Sequence, residues 1–138
     1  MDIDLDTLKG FFRASPFMVD LGVEPTGVEP GRVQTRLAIA RRHGQHTGVV
    51  HAGVIAALAD HTMGAAAQTM APDGHWVLTA EFKTNLLRGA AGVQLECIAR
   101  VVKPGRQISF TEAEVYAVAG GERKLVATAS GTMAVTVA

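Results

Sequence analysis

Apolar and polar positions alternate along this chain with two different periods, and the change of period marks its elements. Leu5, Leu8, Phe11 and Phe12 recur at helical spacing between Leu5 and Arg13, and Asp4 or Asp6 can cap the start, which predicts a short amphipathic helix. Met18 to Val23 reads as a strand. The tetrad Gly-Val-Glu-Pro then occurs at Gly22 and again at Gly27, and four residues repeated once is a turn pattern, not an architectural repeat. From Arg32, the positions Val33, Thr35, Leu37 and Ile39 alternate with Arg32, Gln34 and Arg36, as in a half-buried strand. Arg41 to Gly48 is a polar loop.

Between His51 and Met70 the chain is almost wholly small or apolar, and Pro72, Asp73 and Gly74 end the run. Its length from Ala52 to Ala71 approaches that of a membrane span, yet it carries Asp60, His61, Gln68 and two threonines, so it predicts a buried helix of a soluble protein. Four extended segments follow: Trp76 to Leu87, Val93 to Val102, Gln107 to Val118 and Lys124 to Val137. Gly89, Pro104-Gly105 and Gly120-Gly121 separate them at spacings suited to antiparallel hairpins. In the last segment Leu125, Ala127, Ala129, Met133, Val135 and Val137 are expected to face one way. The whole describes an α+β domain, an antiparallel sheet wrapped around one long central helix.

A length of 138 residues fits a single domain, with residues 1–16 as an N-terminal helical extension. Hydrophobic residues make up 48% of the chain but aromatics only 5%, so the core must be built from Ala, Val, Leu and Met. Thirteen basic residues balance thirteen acidic ones, which removes the field expected of a nucleic-acid partner. Cys97 is the single cysteine and cannot form an internal disulfide, and Asp2, Asp4 and Asp6 precede Lys9 where a signal peptide would be basic. The expected compartment is the cytoplasm, with no membrane partner.

A carboxylate inside so apolar a helix is costly unless it is satisfied or used, which singles out Asp60. At 100° per residue its face also carries Gly53, Ala56, Ala57, Gly64 and Ala67, with Met63 the one large neighbour, while Val54, Ile55 and Leu58 lie elsewhere. Small residues leave room for another backbone or a slender ligand. At the helix start the N–H groups of Ala52, Gly53 and Val54 are expected to be unpaired, a natural place for a developing oxyanion. Asp60 lies eight residues beyond Ala52, about 12 Å along the axis. One copy of the helix cannot bring both to one atom, whereas a second copy, antiparallel across a two-fold axis, creates two equivalent sites per dimer.

The stretch from Gln45 through Gly48, His51, Ala52 and Gly53, with Asp60 nine residues after His51, resembles the PaaI-like acyl-CoA thioesterases of the hotdog superfamily. Their pattern is Asn or Gln, two residues, Gly, two residues, His-Gly-Gly, then an acid in the helix. The run from Thr79 to Arg88 also looks like the family's first long strand after the helix. The resemblance implies a hotdog fold, a homodimer that pairs into a homotetramer, and hydrolysis of a thioester with no cofactor, coenzyme A being part of the substrate. By the match of positions, Asp60 is implied as nucleophile or general base, Gln45 of the other subunit as the orienting group, the Ala52 N–H as carbonyl donor and Thr79 as a helper near the water. Gly48, His51, Gly53, Met63 and Gly64 are implied around the substrate, with His51 bracing the loop that carries Gln45. Two departures stand out: Ala52 replaces the family's usual glycine and its methyl can narrow the acyl slot, and Gly89 replaces a frequent proline.

Plainer readings exist for each residue. Asp60 could be a satisfied core acid, Gln45 an ordinary loop residue and Thr79 a common strand threonine. His43, His46 and His51 with Asp60 lack metal-ligand spacing, so no metal is expected. Arg41, Arg42, Arg88, Lys103 and Arg106 are candidates for the coenzyme A phosphates or simply solvated charges. No Gly-x-Ser-x-Gly elbow is present, and Cys97 reads as core. The rivals to a thioesterase are a non-catalytic acyl-CoA sensor, which needs no acid at Asp60, and an enoyl-thioester hydratase, which pairs a histidine with its acid in a different pattern.

Overall fold

The computed structural model describes residues 2–138. Helix α1 (Leu5–Arg13) starts where predicted, its cap made by the Asp4 carboxylate, which accepts from the Thr7 N–H at 2.8 Å. The expected strand at Met18 to Val23 is instead helix α2 (Pro16–Leu21). Pro16 presets the helical φ at the first position, and Gly22, at φ 83°, ends the helix by donating to the Met18 and Val19 carbonyls. Strand β1 (Val23–Glu29) therefore begins five residues later than the apolar pattern suggested. It runs through both Gly-Val-Glu-Pro tetrads, absorbs the extra residue as an irregularity between Pro25 and Gly27, and turns only at Pro30 and Gly31.

Strand β2 (Arg32–Ala38) buries Val33, Thr35 and Leu37 as its alternation required. The central helix α3 (Ala52–Gln68) lays Ile55, Leu58, Ala59, Met63 and Ala66 against the sheet. Each large side chain so buried contributes roughly 1.5–3 kcal/mol. The buried Thr62 hydroxyl donates to the Leu58 carbonyl and also lies 2.8 Å from Thr35 Oγ1, so neither threonine is stranded in the core.

Strands β3 (His75–Leu86), β4 (Gln94–Lys103), β5 (Ile108–Ala119) and β6 (Glu122–Val137) complete a six-stranded antiparallel sheet of order β1-β2-β4-β5-β6-β3. Two expectations are corrected here. Gly89 does not mark a hairpin: the 87–93 connection carries the chain away from β3, which pairs with β6 at the far edge. By contrast β5 and β6 are joined at Gly120 and Gly121, both with positive φ as a tight hairpin turn demands. Nor does β6 keep one face throughout, because an irregularity between Val115 and Tyr116 pairs Tyr116 with Leu125 and buries Val126 beside Ala127. Val137, at the strand end, is 79% exposed.

The sheet wraps one side of α3, so the helix face bearing Asp60 and Gly64 is only half-buried. Beside that face runs β3, twelve residues long, bonded on one side only and exposing Leu78, Phe82 and Leu86.

Candidate active site

The loop before α3 is built around a histidine that the sequence had offered only as a rejected metal ligand. His43, buried in the short 3-10 turn Arg41–His43, accepts from the Ala40 N–H at Nδ1 (2.9 Å) and donates from Nε2 to the Leu21 carbonyl (2.8 Å). One ring thus ties the loop to the end of α2. Its backbone carbonyl also receives the His51 N–H at 2.8 Å. Between these anchors the chain folds back as a small hairpin: Gly44 bridges Val50, the Gln45 N–H donates to the Val49 carbonyl, and Gly48 turns at φ 94° with its N–H on the Gln45 carbonyl.

His51 is the N-cap of α3, its Nδ1 accepting from the Gly53 N–H at 2.8 Å, and its carbonyl takes the Val54 N–H. Of the three donors expected to be unpaired at the helix start, two are therefore occupied. The Ala52 N–H alone has no partner among the described residues, at the positive end of a seventeen-residue helix. Gln45 and Ala52 line one cavity, about 310 Å³, with Val49, Ile55, Leu87 and Arg88.

Asp60 lies two turns further along α3 and opens into another cavity of about 260 Å³. The Thr79 hydroxyl donates to Asp60 Oδ1 at 2.6 Å, a short O–H···O bond. Thr79 thus fixes the carboxylate's orientation and leaves Oδ2 without a partner among the described residues. The carboxylate is half-buried where the sequence suggested a buried one, because the sheet covers the opposite side of the helix. Gly64, one turn on, shares this cavity, and a side chain added there would meet nothing within 4 Å. Met63 does not line it: it is fully buried in the core, near Gly131. Gly48 lines neither cavity, being occupied with the hairpin turn.

The Asp60 cavity has walls that the motif did not indicate. Leu8, Phe11 and Phe12 of α1 close one side, and Trp76 of β3 meets Phe11 edge to face with centroids 6.0 Å apart. His61 stands against Phe12 at 4.6 Å, and burial lowers its pKa below the ordinary 6.5, partly opposed by the adjacent Asp60 charge. The amphipathic spacing of α1 was the available signal, since it required a partner surface.

In chemical terms the chain holds an oriented carboxylate midway along α3 and a free amide donor with a glutamine at the helix start, in separate cavities. The model described as the thioesterase superfamily matches residues 47–124. Among solved structures, the chain is similar to a thioesterase family protein from Silicibacter pomeroyi, at 34% identity and TM-score 0.92, covering 95% of this chain and 96% of that one. It is also similar to a conserved protein from Pseudomonas aeruginosa, at 34% identity and TM-score 0.80, covering 88% and 94%. A thioesterase from Haemophilus influenzae, at 23% identity and TM-score 0.89, covers 99% and 93% and shares the fold. No curated protein matches the chain.

Proposed function

The chain belongs to the thioesterase superfamily and is a thioester hydrolase of hotdog fold, and from that premise we propose that it cleaves acyl-coenzyme A in a site shared by two protomers, as a PaaI-like enzyme. One observation carries this reading. Asp60 with Thr79, and Ala52 with Gln45, occupy different cavities of one protomer, while the chemistry needs base and oxyanion donor around one carbonyl.

The free edge of β3 supplies the route to a second copy. A long edge strand exposing Leu78, Phe82 and Leu86 is a surface that proteins normally cover, and antiparallel pairing of β3 with β3 across a two-fold axis runs the two α3 helices in opposite directions. Asp60 of each protomer then faces Ala52 and Gln45 of the other. Two such dimers can join through the outer sheet face, where Val102, Ile108 and Phe110 are about half exposed.

In this site the thioester carbonyl accepts from the Ala52 N–H. Asp60, held by Thr79, takes a proton from water as the water oxygen adds to the carbonyl carbon, or itself adds there to form an anhydride that water then opens. The C–S bond breaks as the oxyanion collapses, and coenzyme A leaves as the thiolate. The reaction needs water and no resident cofactor. No helix among the described residues is long and apolar enough to cross a membrane, and we place the enzyme in the cytoplasm.

The test mixes two variants, Asp60→Asn and Gln45→Ala, refolded together after each is shown to release no thiol alone. A shared site leaves one intact centre in every mixed dimer, so random pairing restores about a quarter of wild-type activity. A site within one protomer restores none, and that outcome rejects the arrangement.

A further inference from the structure

The cavity that opens at Asp60 extends well past the carboxylate. It follows α3 through Gly64 to Gln68, between the helix and the first half of β3, and α1 closes it. Gln68 adds little polarity, because its side-chain amide is spent on the His75 carbonyl and the Val77 N–H. At the far end the Phe11 and Trp76 rings form an apolar wall. Gly64 is the flank: no side chain narrows the space there, and none nearby would be struck by one.

We propose that this cavity is the acyl subsite, that it takes an unbranched apolar acyl chain of medium length, and that Phe11 and Trp76 set the limit. The inference rests on the thioesterase reading of Asp60, which puts the reacting carbonyl at the near end. From Asp60 to Gln68 is eight residues, about 12 Å of helix. At roughly 1.25 Å of advance per methylene, from a C–C bond of about 1.5 Å, that distance holds a chain of roughly eight to ten carbons. The volume of about 260 Å³ exceeds the ~150 Å³ of an apolar cavity that admits benzene. Phe11 lies outside residues 47–124, so one side of the length limit comes from a helix beyond the matched part of the family domain.

Trp76 is the only tryptophan of the chain, which makes its emission a direct report on this wall. The experiment compares acetyl-, octanoyl- and hexadecanoyl-coenzyme A as substrates, and acetate with octanoate as ligands read by Trp76 fluorescence. Burial of each methylene should raise kcat/KM about fourfold, up to roughly eight to ten carbons. Gly64→Leu, a change that favours the helix, should cut the octanoyl-to-acetyl ratio at least tenfold, and Phe11→Ala should carry the rise to longer chains. Octanoate should move the Trp76 emission and acetate should not. Turnover of octanoyl-coenzyme A with Trp76 unmoved and the same length profile in both variants overturns the proposal. If no acyl-coenzyme A is cleaved yet octanoate still moves Trp76, the coenzyme A reading fails and the cavity keeps its ligand class; if neither occurs, both fall.

Discussion

Replacing His43 with alanine removes the ring that holds the loop before α3, and the structure sets the size of the effect. Two side-chain bonds are lost, from the Ala40 N–H and to the Leu21 carbonyl, at roughly 1 kcal/mol each. Both backbone partners are left in a partly buried place, where an unsatisfied group costs about 1–3 kcal/mol unless water reaches it. Allowing for partial hydration and for the space left by a buried ring, the sum is roughly 3 kcal/mol, near the upper end for a single substitution. Urea unfolding, followed at several protein concentrations because the stability of the proposed dimer would depend on them, should show the midpoint falling by about 1–3 M at unchanged slope. Amide exchange should quicken first at Gln45 and His51, whose N–H groups bond within the loop. His43→Ala with a midpoint within about 0.3 M of wild type and the same exchange pattern would refute the assignment of the loop to this ring.

Gly48→Ala isolates a backbone effect, because an added methyl meets nothing within 4 Å while the φ of 94° strains any L residue. A loss of roughly 1–3 kcal/mol in thermal unfolding, with KM raised, is expected. Thr79→Val should lower kcat about tenfold to a hundredfold by releasing the Asp60 carboxylate, and Thr79→Ser should recover most of it, as steady-state kinetics will show. Two buried groups tie stability to pH. Burial lowers the His61 pKa, so the unfolded chain takes up the proton first and stability falls as pH drops below about 6.5; His61→Gln should flatten that acid limb. Burial pushes the Cys97 thiol up to about 12 from 9.0, so the unfolded chain loses its proton first and stability falls between those values, by at most about 1.4 kcal/mol per pH unit. Cys97→Ala should remove that slope in alkaline unfolding curves.

Local pattern was enough to locate most elements. The spacing of Leu5, Leu8, Phe11 and Phe12 marked α1, the alternation around Val33 marked β2, and the run after His51 marked α3, because each depends on which side of one element is dry. The same reading failed at Met18 to Val23. Six residues with both helical and extended potential were decided by Pro16 at one end and Gly22 at the other, and by packing of Met18 into the core.

Sequence by itself therefore determined the α+β class and the long helix with its acid, since period, composition and spacing are properties of neighbours along the chain, and it carried the loop motif whose family resemblance implies thioester chemistry. Tertiary structure alone decided that β3 lies at the far edge beside β6, and that His51 occupies the Gly53 donor and leaves the Ala52 N–H free. It also brought α1 across to wall the Asp60 cavity. These are contacts between residues distant in sequence or choices among competing hydrogen-bond partners, and they are settled only when the whole sheet has closed on the helix.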